Sequence, residues 1–282
     1  MKTILITGAT SGVGLECAAQ LATGSRHLVL VGRNPDKLCR AKARVTERGA
    51  GRVDTLVCDF TSLDAVRALA DEVLDRYDRL DVLINNAGTV YARRTETLDG
   101  HEATFAVNHL AGYLLTQRLK DLLIASAPSR IVLTASIGHY GGTMDFDDLH
   151  YRRGYSILKA YSRSKLANVL YARSLGRELS GTGVTVNAVH PGQVRSNIWD
   201  GAPWYTKPAL AVLKRFMMIT AEEGGRRLSY VADDPSLDGV TEQYFENNCV
   251  KQPSALATDT LVAERLREVS DRLIGLGRGV NA

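Results

Sequence analysis

The sequence predicts an α/β fold, a doubly wound parallel sheet of the Rossmann type with helices on both faces. Short β-rich runs alternate with helical patterns along most of the chain, and several of these runs are almost entirely apolar. Such runs are expected of parallel strands that helices cover on both faces, joined by right-handed crossovers. A glycine-rich turn follows the first run. Because no repeat or Pro/Gly-rich linker breaks the pattern, we expect residues 1–282 to form one domain.

The strands and helices follow one another in a simple order. The predicted strands are residues 3–7, 27–31, 53–57, 81–84, 130–134, 184–190 and 242–245. A helix after the third strand is predicted from a stripe of apolar side chains, namely Val66, Leu69, Ala70, Val73, Leu74 and Tyr77. Asp59, Thr61 and Ser62 supply capping groups before it. A long helix is predicted over residues 155–179, and a last helix carries a second stripe of Val262, Leu266, Val269 and Leu273.

The composition excludes several classes of protein. Of the 282 residues 45% are hydrophobic and 23% charged, which excludes a disordered chain. The 35 Lys and Arg against 31 Asp and Glu leave a net charge of only +4, and no basic run is present, so nucleic-acid binding is not expected. No apolar stretch is long enough to span a bilayer and no signal peptide is evident, so we expect a cytoplasmic protein. The histidines and cysteines lack metal-ligand spacing, so no metal is expected.

The turn after the first strand predicts a dinucleotide site. It reads Thr7-Gly8-Ala9-Thr10-Ser11-Gly12-Val13-Gly14, with glycines spaced for a tight turn and for close approach of the backbone to a pyrophosphate. The helix that follows points its amino end at the anion. An ordinary glycine-rich turn is the alternative, and the position of this one inside a strand–helix–strand unit favours the dinucleotide.

The end of the second strand favours NADP(H) over NAD(H). The strand ends Val31-Gly32-Arg33-Asn34, without the carboxylate that usually binds the adenosine ribose in an NAD site. A guanidinium pairs with a 2′-phosphate, which a carboxylate would repel. Thr10 and Ser11 can donate further hydrogen bonds. The alternative is that Arg33 is only a solvated surface residue.

Two tyrosine–lysine pairs can supply the proton for a carbonyl reaction. Tyr161 and Lys165 lie one helical turn apart, so that the ammonium is expected to lower the tyrosine pKa from about 10 toward the working range. Tyr161 is then a general acid for reduction and a general base for oxidation. Tyr155 and Lys159 have the same spacing, but Gly154 makes that segment resemble a helix entry, so Tyr161 is favoured.

Two irregular segments follow the carboxyl ends of strands, where open α/β sheets hold their ligands. In residues 137–153, His139 and Tyr140 are candidates for substrate contact or for an exposed loop. Residues 199–220 include Trp204, Tyr205 and an apolar stretch, which predicts a lid over an apolar pocket. The same stretch is flanked by Lys and Arg, so an amphipathic helix on a membrane surface is the alternative.

These motifs together resemble those of the short-chain dehydrogenases/reductases. The resemblance covers nearly the whole chain and includes the glycine turn, Asn85-Asn86-Ala87-Gly88, Asn108, Ser136, Tyr161 with Lys165, and Pro191-Gly192. Within the family the chain resembles the retinol dehydrogenase-like branch through Val107-Asn108-His109-Leu110, Lys165-Leu166-Ala167-Asn168 and Val189-His190-Pro191-Gly192. The amino-terminal membrane anchor of many animal members is not expected here.

The resemblance implies a role for each motif. Ser136 orients and polarises the substrate oxygen, Lys165 also bonds the nicotinamide ribose, and Asn108 supports a water-linked proton relay. Asp59 resembles the adenine contact of the family, whereas helix capping is its plain structural role. We therefore expect cofactor contacts at Gly8, Thr10, Ser11, Gly12, Val13, Gly14, Arg33, Asn34, Asp59, Phe60, Asn86, Ala87, Gly88, Tyr161, Lys165, Pro191, Gly192, Val194 and Ser196.

The expected activity is an NADP(H)-dependent oxidoreduction that interconverts a carbonyl and an alcohol on an apolar small molecule. The branch implies lipophilic aldehydes, ketones or alcohols, including retinoids, although another apolar or aromatic substrate fits equally. A non-catalytic NADP(H)-binding regulator is the main alternative, and epimerisation or dehydration on the same fold is another. Relatives often pair through the helix that carries the Tyr/Lys motif, so a homodimer or homotetramer stays open.

Overall fold

One sheet organises the protein. The computed structural model describes residues 1–193 and 219–276, and within them eight strands are hydrogen-bonded in the order β3-β2-β1-β4-β5-β6-β7-β8. The strands are β1 (Lys2–Thr7), β2 (Arg26–Gly32), β3 (Arg52–Val57), β4 (Val82–Asn85), β5 (Ser129–Thr134), β6 (Val184–His190), β7 (Tyr244–Glu246) and β8 (Cys249–Lys251).

The sheet is parallel except at one edge. The first seven strands pair in parallel, which confirms the predicted doubly wound sheet. β8 pairs with β7 in the antiparallel direction and was not predicted. The reason is that all three residues of β8 are exposed, so no buried apolar run marks it in the sequence. A short, exposed strand of this kind is a common way to end a sheet.

Helices cover both faces of the sheet. They are α1 (Gly12–Leu21), α2 (Pro35–Glu47), α3 (Leu63–Arg76), α4 (Ala103–Phe105), α5 (Ala111–Ala125), α6 (Ile157–Glu178), α7 (Ala221–Asp233) and α8 (Thr260–Leu273). A single π-helical turn, Ala106–Leu110, joins α4 to α5. Of the three predicted capping groups of α3, Ser62 is confirmed, since its side chain accepts a hydrogen bond from the Ala65 amide.

The core lies in two layers, one on each side of the sheet. Apolar side chains of α3, α5, α6 and α8 pack on one face and those of α1, α2 and α7 on the other. The predicted stripe on α3 is buried, except that Leu74 was wrongly included and is 42% exposed. Leu74 lies at the solvent edge of the stripe, because the apolar arc that faces the sheet is narrower than the pattern in the sequence.

The topology fixes where a ligand can enter. In the register of β1, Ile6 pairs with Leu30 of β2 on one side and with Ile84 of β4 on the other. The chain order therefore reverses beside β1, and in open α/β sheets the crevice at the carboxyl ends of the strands at such a point holds ligands.

Some predicted features lie outside the described residues. These are the cofactor contacts Val194 and Ser196 and the predicted lid over 199–220, of which only Ile219 and Thr220 are described. Across 1–193 and 219–276, no helix combines the length and apolarity needed to cross a bilayer.

Candidate active site

The glycine turn after β1 is built from main-chain conformations that few residues can adopt. Gly8 has φ of +67° and Gly12 has φ of +55°, both in the left-handed region that glycine tolerates best. A Cβ atom on Gly8 would lie 2.9 Å from the Cα of Ala87. On Gly14 it would overlap the carbonyl oxygen of Gly8. The turn is therefore pressed against both the following helix and the loop after β4.

Two polar side chains tie the glycine turn to the loop after β4. The Thr7 hydroxyl oxygen accepts hydrogen bonds from the amides of Asn86 and Ala87, each at 2.9 Å. The Asn86 side-chain amide donates to the Thr7 carbonyl at 2.9 Å. These bonds bring the sequence-predicted groups Gly8, Asn86 and Ala87 together at the reversal point of the sheet.

The start of α1 fits a phosphate group. Ser11 occupies the N-cap position but makes no side-chain capping bond, whereas the Asn34 and Ser62 side chains cap α2 and α3. No capping bond from Ser11 therefore occupies the first N–H groups of α1, which directly follow the glycine turn. Such N–H groups bind phosphate well because the helix dipole favours negative charge there. The turn and helix together suit the pyrophosphate of a dinucleotide.

The ends of β2 and β3 form the next part of the crevice. Arg33 and Asn34 follow β2 and are both exposed, and the Asn34 side chain accepts the amide of Lys37 at 2.9 Å as the cap of α2. Asp59 follows β3, and its carboxylate accepts the Thr61 amide at 3.0 Å. Arg33 and Asp59 are both close enough to Tyr91 to affect the pKa of its phenol, which burial raises. The Asp59 side chain therefore stabilises the turn before α3, and it is also exposed to solvent, where a cofactor could contact it.

Two of the predicted cofactor contacts have side chains that pack against the apolar layers of the fold. Phe60 is 7% exposed and belongs to the apolar layer beneath α3, whereas Val13 packs partly against the opposite layer. A cofactor can meet these residues only through main-chain atoms or the exposed part of the Val13 side chain.

Ser136 begins a short turn directly after β5. Its side chain accepts the Gly138 amide at 3.1 Å, and its carbonyl accepts the Nδ1–H of His139 at 2.7 Å. His139 is fully buried, and its Nε2 accepts the Ser254 amide at 3.2 Å, so the ring is neutral with its proton on Nδ1. His139 therefore holds the serine turn and has no exposed surface, whereas Tyr140 is 45% exposed and donates to the Gln252 carbonyl at 2.8 Å.

Tyr161 lies on α6 beside Ser136. The two hydroxyls interact by a hydrogen bond that lowers the pKa of Tyr161, but burial has the larger effect and raises that pKa above its usual value. The expected lowering by Lys165 is therefore not what governs this phenol. A Cβ on Gly138 would lie 3.3 Å from the Tyr161 ring, a tight contact that the ring could accept only by shifting a few tenths of an ångström.

Lys165 is buried one turn further along α6. Its Nζ lies 5.7 Å from the centre of the Tyr161 ring and donates to the Thr134 carbonyl at 2.9 Å. Burial lowers the pKa of this ammonium to about 8. The distance and the bond to Thr134 explain why burial, and not the ammonium, dominates the pKa of Tyr161.

Asn108 lies within the π-helical turn, with its side chain fully used. Its Oδ1 accepts the Thr89 amide at 2.7 Å, and its Nδ2 donates to the Thr89 carbonyl and to the Ser164 hydroxyl, both at 3.0 Å. Its carbonyl accepts the Nδ2 of Asn168 at 3.0 Å. Asn108 thus joins α6 to the segment that follows Gly88. Gly88 itself lies close to Lys165, since a Cβ atom on Gly88 would be 3.7 Å from the Lys165 Nζ.

The competing pair lies elsewhere. Tyr155 precedes the first residue of α6, so Tyr155 and Lys159 do not share a helical turn. The Tyr155 hydroxyl donates to the Tyr91 carbonyl at 2.7 Å.

The end of β6 completes the described crevice. Pro191 is buried, Gly192 has φ of +108°, and its amide reaches the Nδ1 of His190 at 3.4 Å. A Cβ on Gly192 would lie 2.8 Å from the guanidinium of Arg227. In the part of the chain that the structure describes, no group of three His, Cys, Asp or Glu side chains could hold a metal ion.

Several contributors were not identified from the sequence. Thr134 contributes its main-chain carbonyl, which accepts the Lys165 ammonium, and Gly138 contributes the space beside the Tyr161 ring. Neither contribution depends on a side chain, so the sequence gives no sign of it. Asn168 could have been identified, because it is a polar residue on the apolar face of a predicted helix, and in the structure it is only 4% exposed.

Comparisons with known proteins agree on the kind of protein. A family model described as short chain dehydrogenase matches residues 2–203. Retinol dehydrogenase 14 of Mus musculus is 38% identical to this chain over 98% of this chain and 86% of its own length.

Solved structures resemble the whole fold. A crystal structure of an uncharacterized protein from Mycobacterium Paratuberculosis aligns with a TM-score of 0.77 at 29% identity, over 99% of this chain and 96% of that one. A protein from Beutenbergia cavernae, assigned as an NAD(P) dependent gluconate 5-dehydrogenase with bound NADP at low occupancy, aligns with a TM-score of 0.69 at 26% identity. The alignment covers 86% of this chain and 94% of that one.

Proposed function

The chain belongs to the short-chain dehydrogenase/reductase family, in its retinol dehydrogenase-like branch, and on that premise we propose that it is an NADPH-dependent carbonyl reductase of apolar small molecules. Membership makes it an oxidoreductase of carbonyl and alcohol groups that uses a nicotinamide dinucleotide. The observation that carries the proposal is the grouping of Ser136, Tyr161 and Lys165 at the end of β5, next to the glycine turn.

The cofactor would lie along the carboxyl ends of the strands. The glycine turn and the amino end of α1 suit the pyrophosphate, and the exposed Arg33 is suited to the adenosine 2′-phosphate. Asn86, Ala87, Gly88, Pro191 and Gly192 would line the remainder. When bound, the nicotinamide supplies or accepts a hydride. The absence of a carboxylate after β2 and the NADP in a similar structure support NADP(H).

The chain's own residues handle the proton. Because burial raises the pKa of Tyr161, the phenol holds its proton at neutral pH and can donate it to a carbonyl oxygen as the alcohol forms. Ser136 lies within hydrogen-bonding reach of that phenol, so the two hydroxyls can converge on one substrate oxygen. Lys165, with a pKa of about 8, is mainly an ammonium at pH 7 and stabilises the negative charge left on Tyr161.

The proposed substrate class rests on similarity to a named relative. A relative named as a retinol dehydrogenase supports a lipophilic alcohol or aldehyde, of which a retinoid is one candidate.

We also infer one catalytic domain, because the eight described strands form one sheet and both helix layers pack on it.

The test is a turnover measurement on the whole protein. NADPH oxidation is followed with a series of apolar aldehydes and ketones, retinal among them, and is repeated with NADH. We expect turnover with at least one apolar carbonyl and a higher kcat/KM with NADPH. NADPH binding without turnover of any member of the series would favour the regulator and overturn the proposal.

A further inference from the structure

A chain of buried polar groups leads from Lys165 to the C-terminal helix. It passes through the Thr134 carbonyl, the Asn168 side chain and the His109 ring to the hydroxyl of Ser270 on α8. The three side chains beyond Lys165 are at most 4% exposed. Burying polar side chains is costly unless each is hydrogen-bonded, and here the bonds form one continuous series that ends at Lys165.

Asn168 occupies the centre of this chain. Its Nδ2 donates to the Asn108 carbonyl at 3.0 Å and to the Thr134 carbonyl at 3.1 Å. One amide thereby joins the π-helical turn to the end of β5. The Thr134 carbonyl also accepts the Lys165 ammonium at 2.9 Å, so Asn168 and Lys165 share one acceptor.

The orientation of the amide is determined by its partners. Both acceptors of Nδ2 are carbonyls, so the Oδ1 of Asn168 must face the Nδ1 of His109, which lies 3.2 Å away. Nδ1 therefore carries the ring proton, and Nε2 accepts from the Ser270 hydroxyl at 3.1 Å. Burial lowers the pKa of His109 to about 4, so this neutral tautomer persists at the pH of any ordinary assay.

We propose that Asn168, oriented by His109 and Ser270, is a positioning residue that fixes the place of the Lys165 ammonium in the active site. The inference rests on the proposed function for its meaning in catalysis. Its physical content concerns only this chain: the amide donates to the same Thr134 carbonyl that accepts the ammonium, so it holds that acceptor in place and occupies one of its two lone pairs.

Removing the amide has a predictable electrostatic result. A leucine at position 168 has nearly the same shape but no donor, so the Thr134 carbonyl that accepts the ammonium loses its bond to Asn168. The lone pair set free then attracts the ammonium more strongly and allows it to shift within the site. The pKa of Lys165 should rise, because hydrogen bonding to the charged form favours that form. Catalysis should fall, because small displacements of a catalytic group are costly.

Other ionisable groups near Lys165 have to be considered. Tyr161 faces it from the same helix, with the ring centre 5.7 Å from Nζ. His190 faces it from β6, and its pKa is lowered to about 4 by burial and by the nearby Arg227, His139 and Lys165. His190 is therefore neutral wherever Lys165 titrates.

The first measurement is steady-state turnover with NADPH and the best carbonyl substrate. We expect Asn168→Leu to lower kcat by about tenfold to a hundredfold. His109→Phe should cause a similar loss, whereas His109→Asn, which keeps a donor at the position of Nδ1, should retain most of kcat. Combining Asn168→Leu with His109→Phe should cost little more than Asn168→Leu alone, because both changes act on the same chain of bonds.

A matched control separates positioning from the docking of α8. The Tyr113 hydroxyl donates to Asp271 at 2.6 Å, so Tyr113→Phe also breaks a bond between α5 and α8 but does not touch Asn168. We expect Tyr113→Phe to leave kcat unchanged. An equal loss of kcat in Tyr113→Phe and His109→Phe would overturn the proposal.

The second measurement needs no turnover. The titration of Lys165 is followed by the NMR signal of its labelled ε-carbon in the full chain without cofactor, assigned with Lys165→Arg. We expect the midpoint to rise by about half a pH unit or more in Asn168→Leu and His109→Phe and to stay in place in Tyr113→Phe. If Asn168→Leu does not fold, the two His109 variants carry both measurements.

The two proposals can fail separately. A wild-type protein without any carbonyl turnover, but with the expected shift of the Lys165 titration, would contradict the proposed function and support the positioning of Lys165. An active wild type whose kcat and Lys165 titration are unchanged in Asn168→Leu and His109→Phe would overturn the positioning role and leave the proposed function intact.

Discussion

Lys165 and Tyr161 lie on one face of α6, with the ammonium 5.7 Å from the centre of the phenol ring and hydrogen-bonded to the Thr134 carbonyl. In this arrangement burial raises the pKa of the phenol and lowers the pKa of the ammonium to about 8. Both groups are therefore mainly protonated at neutral pH, which is the state that carbonyl reduction requires.

Tyr161→Phe should remove most of the turnover, because the phenol is the proposed proton donor. We expect kcat for carbonyl reduction to fall by about a thousandfold, with little change in the dissociation constant for NADPH. Tyr155→Phe is the matched control, since Tyr155 has the same spacing to a lysine but donates to the Tyr91 carbonyl. Comparable kcat values in the two variants would contradict the role of Tyr161.

If the proposed function is right, carbonyl reduction should slow on the alkaline side of about pH 8. Burial lowers the pKa of Lys165 to about 8, so the ammonium is present below that pH and is lost as the pH rises through it. Because kcat/KM reports groups of the free enzyme, it should decline with a limb near this value between pH 7 and about pH 10. Lys165→Arg, although slower, should lack this limb. A flat wild-type profile over the range would contradict the assignment.

Arg33→Asp should reverse the cofactor preference. An exposed guanidinium after β2 is suited to the 2′-phosphate of NADPH, whereas a carboxylate repels it and can bind a ribose hydroxyl instead. We expect the KM for NADPH to rise by about tenfold to a hundredfold and the KM for NADH to fall. Arg40→Asp makes the same charge change at another exposed position and should alter neither constant. Similar effects of both substitutions would point to overall charge instead of a direct contact.

The protein should lose stability on acidification below about pH 6.5. His109 and His190 each have a pKa lowered to about 4, mainly by burial, whereas an unfolded histidine has a pKa near about 6.5. Between these values the unfolded chain binds more protons, so each histidine lowers the free energy of unfolding by up to about 1.4 kcal/mol per pH unit. Urea midpoints from pH 7 to pH 4 measure the slope. The slope should be smaller in His109→Asn, and an unchanged slope would show that His109 does not contribute.

Much of the fold could be predicted because burial leaves a pattern in the sequence. The central strands are continuous apolar runs, and the glycine turn, Ser62 and the Tyr161–Lys165 spacing each reflect a local constraint. β8 could not be predicted, since three exposed residues carry no such pattern. Leu74 was misplaced because apolar spacing identifies a helix face but not the width of the buried arc.

The site was harder to predict where main-chain carbonyls, and not side chains, form the hydrogen bonds. Thr134 acts through its carbonyl, and the Asn108 carbonyl that accepts the Asn168 amide lies in a π-helical turn that no residue pattern marks. The pKa of Tyr161 was expected to be lowered by Lys165, but spacing along a helix does not reveal how deeply both groups are buried. The residues that orient Asn168 come from segments distant in the sequence, and Ser270 lies on a different helix.

The position of α8 limits how copies of this chain can meet. Ser270 and Asp271 bind α8 to His109 of the π-helical turn and to Tyr113 of α5, and α8 also contacts α6, so part of the surface of α6 is already covered. A homodimer or homotetramer that forms through α6 would have to use a part of that helix that α8 does not cover. Truncation of the chain before Thr260 would expose the aromatic rings of Tyr113 and Tyr171, which α8 covers in the intact chain. The exposed apolar patch would favour aggregation.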